Sequence, residues 1–118
     1  VKAITNYPTF IIGLGIGGFS KYFSGIDTRL YPHNIFLEIF SELGIFGVTI
    51  FVIILIRSIL IAVKQFKTSL TVESRVLYIT LFGLFIFMLI NSSISGDIND
   101  NRLLFTWIGF IFAFNNNT

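Results

Sequence analysis

Long uncharged runs dominate the chain and define its predicted elements. The run Leu43–Ile56 has 14 residues without a charge, and extending it back to Ile35 gives a segment of spanning length. The run Val76–Ile94 has 19 residues and also carries no charge. About 20 apolar residues cross a bilayer as a helix, so both segments are predicted to be transmembrane helices.

Two further apolar stretches do not fit a full span. The run Leu103–Phe114 has only 12 residues. The run Ala3–Ser20 contains Pro8 and four glycines, and each glycine costs a helix interior about 1 kcal/mol relative to alanine. We therefore expect residues 1–34 to form an extracytoplasmic or re-entrant, glycine-rich loop segment. The predicted fold is an all-α, polytopic bundle, with two to three transmembrane helices over 35–114 and a tail over 115–118.

The charges between these segments predict an orientation. A loop at about 64–75 carries three basic residues and one acidic residue, and a loop at about 95–102 carries two acidic residues and one basic residue. Basic loops stay in the cytoplasm, so the first loop is predicted to be cytoplasmic and the second to face outward. Residues 1–34 then also lie outside.

Composition supports a membrane protein independently of the pattern. Hydrophobic residues make up 54% of the 118 residues, while charged residues make up 12%, about half the usual share in soluble domains. The net charge of +2 is too small and dispersed to favour a nucleic-acid partner. The absence of cysteine excludes thiolate catalysis and zinc–thiolate sites.

The start of the chain affects whether these 118 residues are expected to fold and act by themselves. The first residue is Val1, and no signal-peptide pattern follows it. We interpret the chain as the C-terminal part of a longer polytopic protein. The upstream part of that protein is expected to form much of the bundle, and the fragment to need it for folding and activity.

The segment Tyr31–Gly47 carries the most specific pattern. Pro32 disfavours helical geometry at Tyr31, so a helix is predicted to begin near His33 or Asn34, with Asn34 as its cap. Asn34, Glu38 and Glu42 then lie on one helix face. His33 would sit at the outer interface, where an imidazole can take a proton from a hydroxyl. Residue chemistry alone favours a plainer alternative of a cap, two solvated carboxylates and an interfacial histidine.

The same segment resembles the signature of the O-antigen ligase/polymerase family of bacterial membrane glycosyltransferases. That family carries an HN-x-x-L-E-like element followed by E-x-G at the start of a transmembrane helix. The upstream segment resembles the family's P-x-x-G-x-G-x-x-x-F element through Pro8, Gly13, Gly15 and Phe19. The resemblance covers about residues 1–60. The positions that match the first element are His33, Asn34, Leu37, Glu38, Glu42 and Gly44.

The resemblance implies a reaction and a place for it. Members of the family transfer a glycan from an undecaprenyl-diphosphate carrier to an acceptor glycan or lipid at the outer face of the inner membrane, without a metal or other cofactor in catalysis. His33 inherits the role of activating the acceptor hydroxyl. Asn34, Glu38 and Glu42 would shape the substrate cavity and hold the loop that carries His33, and Asn34 and Glu38 would also bind substrate. Nothing in the sequence identifies a lipid-A acceptor, so a polymerase or general lipid-linked glycan transferase is favoured over a ligase.

Several residues keep two interpretations. Arg29 and Arg102 would bind the leaving diphosphate, because the guanidinium fork fits phosphate oxygens, but Arg29 equally suits contact with lipid phosphate. Asp97 would orient an imidazole or bind sugar hydroxyls, whereas a solvated turn explains it as well. The alternative function is a non-enzymatic polytopic protein, such as a transporter fragment that uses Glu38 and Glu42. The carboxylates cluster at one end, which favours the transferase.

Overall fold

A computed structural model of the chain describes residues 7–25, 30–94, 98 and 101–115. These residues form helices and connecting turns and contain no strand, which confirms the predicted all-α class. Asn34 and Thr71 cap the helices that follow them, each through a side-chain oxygen. The described residues form five helices, α1 (Tyr7–Ile12), α2 (Gly18–Ser24), α3 (Ile35–Thr68), α4 (Val72–Ser92) and α5 (Arg102–Asn115).

Helices α3 and α4 are long and apolar enough to cross a membrane, as the uncharged runs predict. They have 34 and 21 residues, respectively. Helix α5 has 14 residues, about 21 Å of helix, which is shorter than the hydrocarbon core of a bilayer. Length and composition therefore distinguish α3 and α4 from α5.

Helix α3 is not straight, and this departs from the predicted continuous helix. Gly44 has φ 65° and ψ −162°, which divides α3 into a first arm (35–43) and a second arm (45–68). The rings of Phe36 and Phe51 lie 5.4 Å apart, although 15 residues of straight helix would separate them by about 22 Å. The first arm therefore folds back toward the second.

The second arm, α4 and α5 pack into a three-helix bundle. The connection between α3 and α4 is only residues 69–71, which is shorter than the predicted loop 64–75. The difference arises because Lys64 and Lys67 belong to the last turns of α3, and Arg75 belongs to the first turn of α4. Apolar side chains from all three helices form the core, and two residues of the first arm join them. The buried apolar residues are Ile35, Ile39, Phe51, Leu55, Phe85, Leu104, Ile108 and Ile111.

Ring and cavity contacts give the direction of α5. Phe105, near the start of α5, contacts Phe51, whereas Ile111 lines a cavity with Ile61 and Gln65 farther along the second arm. Helix α5 therefore runs parallel to the second arm. The starts of α3 and α5 and the end of α4 meet at one end of the bundle. Residues 7–25 and 30–44 lie at this end, and we call them the head.

Candidate functional site

His33 has an unusual backbone in the head. Its φ is 53°, a left-handed conformation that few residues other than glycine adopt, although histidine tolerates it better than most. The side chain is exposed, and its ring centroid lies 4.4 Å from that of Tyr31. Strained backbone of this kind persists only where the surrounding structure enforces it. The head therefore presents the imidazole at its surface in a defined orientation.

Two hydrogen bonds fix the segment that carries His33. On one side, Leu30 N donates to Ser20 Oγ of α2 at 3.3 Å. On the other side, Asn34 Nδ2 donates to the carbonyl of Ser93, just after α4, at 2.7 Å. The turn that contains His33 is thus attached both to the head and to the bundle.

Asn34 caps α3, as predicted. Its Oδ1 accepts hydrogen bonds from Phe36 N at 3.0 Å and Leu37 N at 3.1 Å. Since Nδ2 already bonds Ser93, both polar ends of this amide have partners within the protein. Asn34 therefore lies where it can hold the segment that carries His33, whereas its contact with substrate remains a prediction.

The two predicted carboxylates occupy different environments. Glu38 lies one turn into α3 and is 6% exposed. Glu42 is partly exposed, and its Oε1 accepts a hydrogen bond from Gly17 N at 2.8 Å. Glu38 therefore lies inside the head rather than on the surface beside His33. Glu42 holds residues 13–18, which we call the glycine-rich loop.

The glycine-rich loop docks into the break of α3. Leu14 N donates to the Ser41 carbonyl at 2.8 Å, and Gly15 N donates to the Glu42 carbonyl at 2.9 Å. In a straight helix these two carbonyls would accept from residues 45 and 46 instead. The loop thus provides alternative donors for carbonyls at the bend.

The approach of the two backbones requires glycine on both sides. Gly13 has φ 77°, and a Cβ there would overlap the backbone of Glu42 and Leu43. Gly44 has φ 65°, and a Cβ there would overlap the backbone of Ile11 and Gly13. Sequence reasoning missed this contact and the role of Glu42. The signal was present as two separate glycine positions, but nothing in the sequence links Gly13 to Gly44.

The predicted cations and the outer acidic residue are only partly described. Arg102 is the first residue of α5 and is exposed, and the direction of α5 places it at the same end of the bundle as His33. Arg29 and Asp97 lie outside the described residues. Within the described ranges, no three histidine, aspartate or glutamate side chains cluster to hold a metal ion.

Comparison with known proteins gives no match: no protein-family model, curated protein or solved structure is similar to this chain. The interpretation of the site therefore depends on its geometry and on the sequence pattern around His33.

Proposed function

We propose that this protein is a bacterial inner-membrane glycosyltransferase of the O-antigen ligase/polymerase type. In this proposal α3 and α4 cross the membrane and the head faces outward. The observation that supports it best is His33, whose exposed imidazole is held in a strained backbone at the head. Backbone in sparsely populated conformations is concentrated at active sites and ligand-binding sites.

The proposed reaction assigns the chemistry to few groups. An acceptor hydroxyl donates its proton to the imidazole of His33, and its oxygen attacks the anomeric carbon of the lipid-linked glycan. The bond from that carbon to the diphosphate oxygen breaks, and undecaprenyl diphosphate leaves with the bonding electron pair. Arg102 supports the charge that develops on the diphosphate, because its fork binds phosphate oxygens in pairs. Asn34 keeps His33 in place.

The position of the carboxylates supports this proposal over a transporter. A proton or ion path needs a carboxylate near the middle of the membrane, together with a second one linked to it. Glu38 and Glu42 both precede the break at Gly44, and Glu42 is bonded to the glycine-rich loop. Their place in the head fits a site at the outer surface.

The test replaces the imidazole while leaving the backbone undisturbed. His33→Asn keeps a residue that tolerates positive φ, and His33→Gly removes the strain altogether. The intact protein is expressed in membranes supplied with undecaprenyl-diphosphate-linked repeat units, and the glycan products are separated on a gel. We expect both variants to lose product formation by about 100-fold or more at normal protein abundance.

Tyr31→Phe is the matched control because it keeps the ring beside His33 and removes only a hydroxyl. It should retain activity. If His33→Asn makes glycan chains at the normal rate, the transferase proposal is wrong. If it loses them, the size distribution of the glycans made by the unmodified protein distinguishes polymerisation from ligation.

A further inference from the structure

Arg57 lies in an unexpected part of α3. Sequence reasoning ends the first span at Ile56 and leaves Arg57 just beyond it. In the structure the break at Gly44 removes the first arm from the span, and Arg57 is then 12 residues after Ile45 and 11 before Thr68. It is exposed near the middle of the second arm.

The pairing of α3 with α4 gives the depth of Arg57. The two helices are antiparallel across a three-residue connection, and Ala62 and Tyr78 line the same cavities between them. This register places Arg57 level with about Gly83, inside the charge-free run Val76–Ile94. A bilayer that covers this run places Arg57 about 10 Å from the nearer boundary.

Arg57 is poorly placed to reach water by itself. The nearer boundary lies toward the C-terminus of α3, whereas helical side chains lean toward the N-terminus. The opposite boundary is about 16 Å away, too far for one side chain. A charged group within the hydrocarbon is costly unless it has a polar partner.

The surface around Arg57 is an apolar stripe that the described residues leave exposed. Residues at helical spacing on both sides of Arg57 are exposed, while the opposite side of the helix, with Phe51, Leu55 and Ser58, is buried in the bundle. Arg57 is the single charge in the middle of this stripe. We call it the Arg57 face, and it consists of Phe46, Ile50, Ile53, Arg57 and Leu60.

We propose that the Arg57 face binds a transmembrane helix from outside the described bundle, and that this helix carries an aspartate or glutamate at the depth of Arg57. A carboxylate matches the guanidinium fork in charge and geometry. The inference rests on the part of the proposed function that places α3 and α4 across the membrane. It does not depend on glycosyl transfer.

A second copy of the chain does not provide that carboxylate. After Glu42 the sequence contains only three acidic residues, Glu73, Asp97 and Asp100. Glu73 lies in the first turn of α4, at the far end of the bundle from the head, and the two aspartates follow the charge-free run. A copy in the same orientation would therefore place only apolar side chains or another arginine against Arg57. The partner helix must have a different sequence.

Site-specific crosslinking tests the proposal on the intact protein in its native membrane. A photo-reactive amino acid is placed at Ile53 or Leu60, on the Arg57 face, and at Phe87 on α4 as a position off that face. We expect crosslinks from Ile53 and Leu60 to a peptide that contains an aspartate or glutamate within an apolar helix, identified by mass spectrometry.

Charge variants then connect the crosslink to Arg57. Arg57→Leu should reduce the crosslink about tenfold, whereas Lys64→Leu, at the cytoplasmic end of α3, should leave it unchanged. Arg57→Glu combined with an arginine at the partner's acidic position should restore it. Crosslinks to lipid alone, to a second copy of the chain, or to a peptide without an acidic residue would overturn the proposal.

A separate measurement distinguishes failure of the membrane placement. These 118 residues contain no cysteine, so Leu60→Cys introduces one thiol into them, and the protein without the substitution gives the background labelling. A membrane-impermeant maleimide should not label it in sealed vesicles of either orientation. Labelling would contradict both the membrane placement and the Arg57 face, whereas protection together with a lipid-only crosslink would overturn the Arg57 face alone.

Discussion

The head and the three-helix bundle are held together by different kinds of contact. In the head, two backbone segments form hydrogen bonds with each other. Leu14 and Gly15 donate to carbonyls at the bend of α3, and Gly13 and Gly44 allow the close approach of the two segments. In the bundle, buried apolar side chains such as Phe85 and Leu104 make the contacts.

The two regions differ in how much of their stability depends on a single residue. Backbone hydrogen bonds across a glycine contact are lost when one methyl group separates the chains. Apolar packing tolerates changes of shape that preserve volume, and its cost is spread over many contacts. Single substitutions should therefore disturb the head more than conservative changes disturb the bundle, and four comparisons test this in descending order of expected effect.

Gly44→Ala should have the largest effect. The substitution forces a side chain into positive φ and against the backbone of Ile11 and Gly13, so the expected loss is about 3 kcal/mol of unfolding free energy. Amide hydrogen exchange at Leu14 and Gly15 should accelerate at the same time, because their acceptors move away. The free energy can be measured by denaturant titration in detergent.

Gly83→Ala is the matched control in the bundle. A Cβ at Gly83 meets nothing within 4 Å, and alanine favours a helix interior over glycine by about 1 kcal/mol. It should leave stability unchanged or increase it. Equal losses for Gly44→Ala and Gly83→Ala would contradict the difference between head and bundle.

Asn34→Ala should have the next largest effect, a loss of about 2 kcal/mol of unfolding free energy. It removes the cap of α3 and the hydrogen bond to the Ser93 carbonyl together. Asn34→Ser keeps a capping oxygen but not the bond to Ser93, so it should recover about half of the loss. Thermal unfolding of both variants beside the unmodified protein measures this split, and equal stability of Asn34→Ser and the unmodified protein would show that the link to Ser93 contributes nothing.

Glu42→Ala should cost about 1 kcal/mol, because it removes the acceptor of Gly17 N from a partly exposed position. Glu42→Gln keeps an acceptor oxygen and should lose less. Proteolytic cleavage within residues 13–18 reports on loosening of the loop. The prediction fails if the alanine and glutamine variants are cleaved at the rate of the unmodified protein.

Ser58→Ala should have the smallest effect, below about 0.5 kcal/mol. Ser58 is fully buried, but its hydroxyl donates to the Ile54 carbonyl of its own helix, so its removal leaves no partner unsatisfied. Ser58→Leu provides the contrast, since it must fit added volume at a closely packed position. Denaturant titration should rank the leucine variant well below the alanine variant.

The sequence predicts the helices of the bundle well but not the shape of the head. Uncharged runs lie within α3, α4 and α5, and Pro32 followed by Asn34 locates the start of α3, but α3 continues to Thr68, beyond the predicted end of the span at Ile56. These are local signals of composition and capping. The break at Gly44 depends on donors about thirty positions earlier in the chain, and no local pattern specifies which glycine meets which carbonyl.

The candidate site shows the same division. The sequence singles out His33 and Asn34, and the capping role of Asn34 is confirmed by the structure. The catalytic role of His33 remains a prediction. The different environments of Glu38 and Glu42 could not be foreseen, because both lie on one face of the first arm, and only the folded head buries one and bonds the other to Gly17.

In the proposed membrane placement, the bend at Gly44 also affects how the length of α3 matches the bilayer. As a straight rod, the 34 residues of α3 would extend about 51 Å, far more than the roughly 30 Å of hydrocarbon in a bilayer. A rod of that length has to tilt steeply or thicken the surrounding lipid, and it can slide between several vertical positions. With the first arm outside the proposed span, the second arm is about 36 Å long. Its length is then close to the thickness of the hydrocarbon, so the bend at Gly44 restricts the vertical positions that α3 can take in the bilayer.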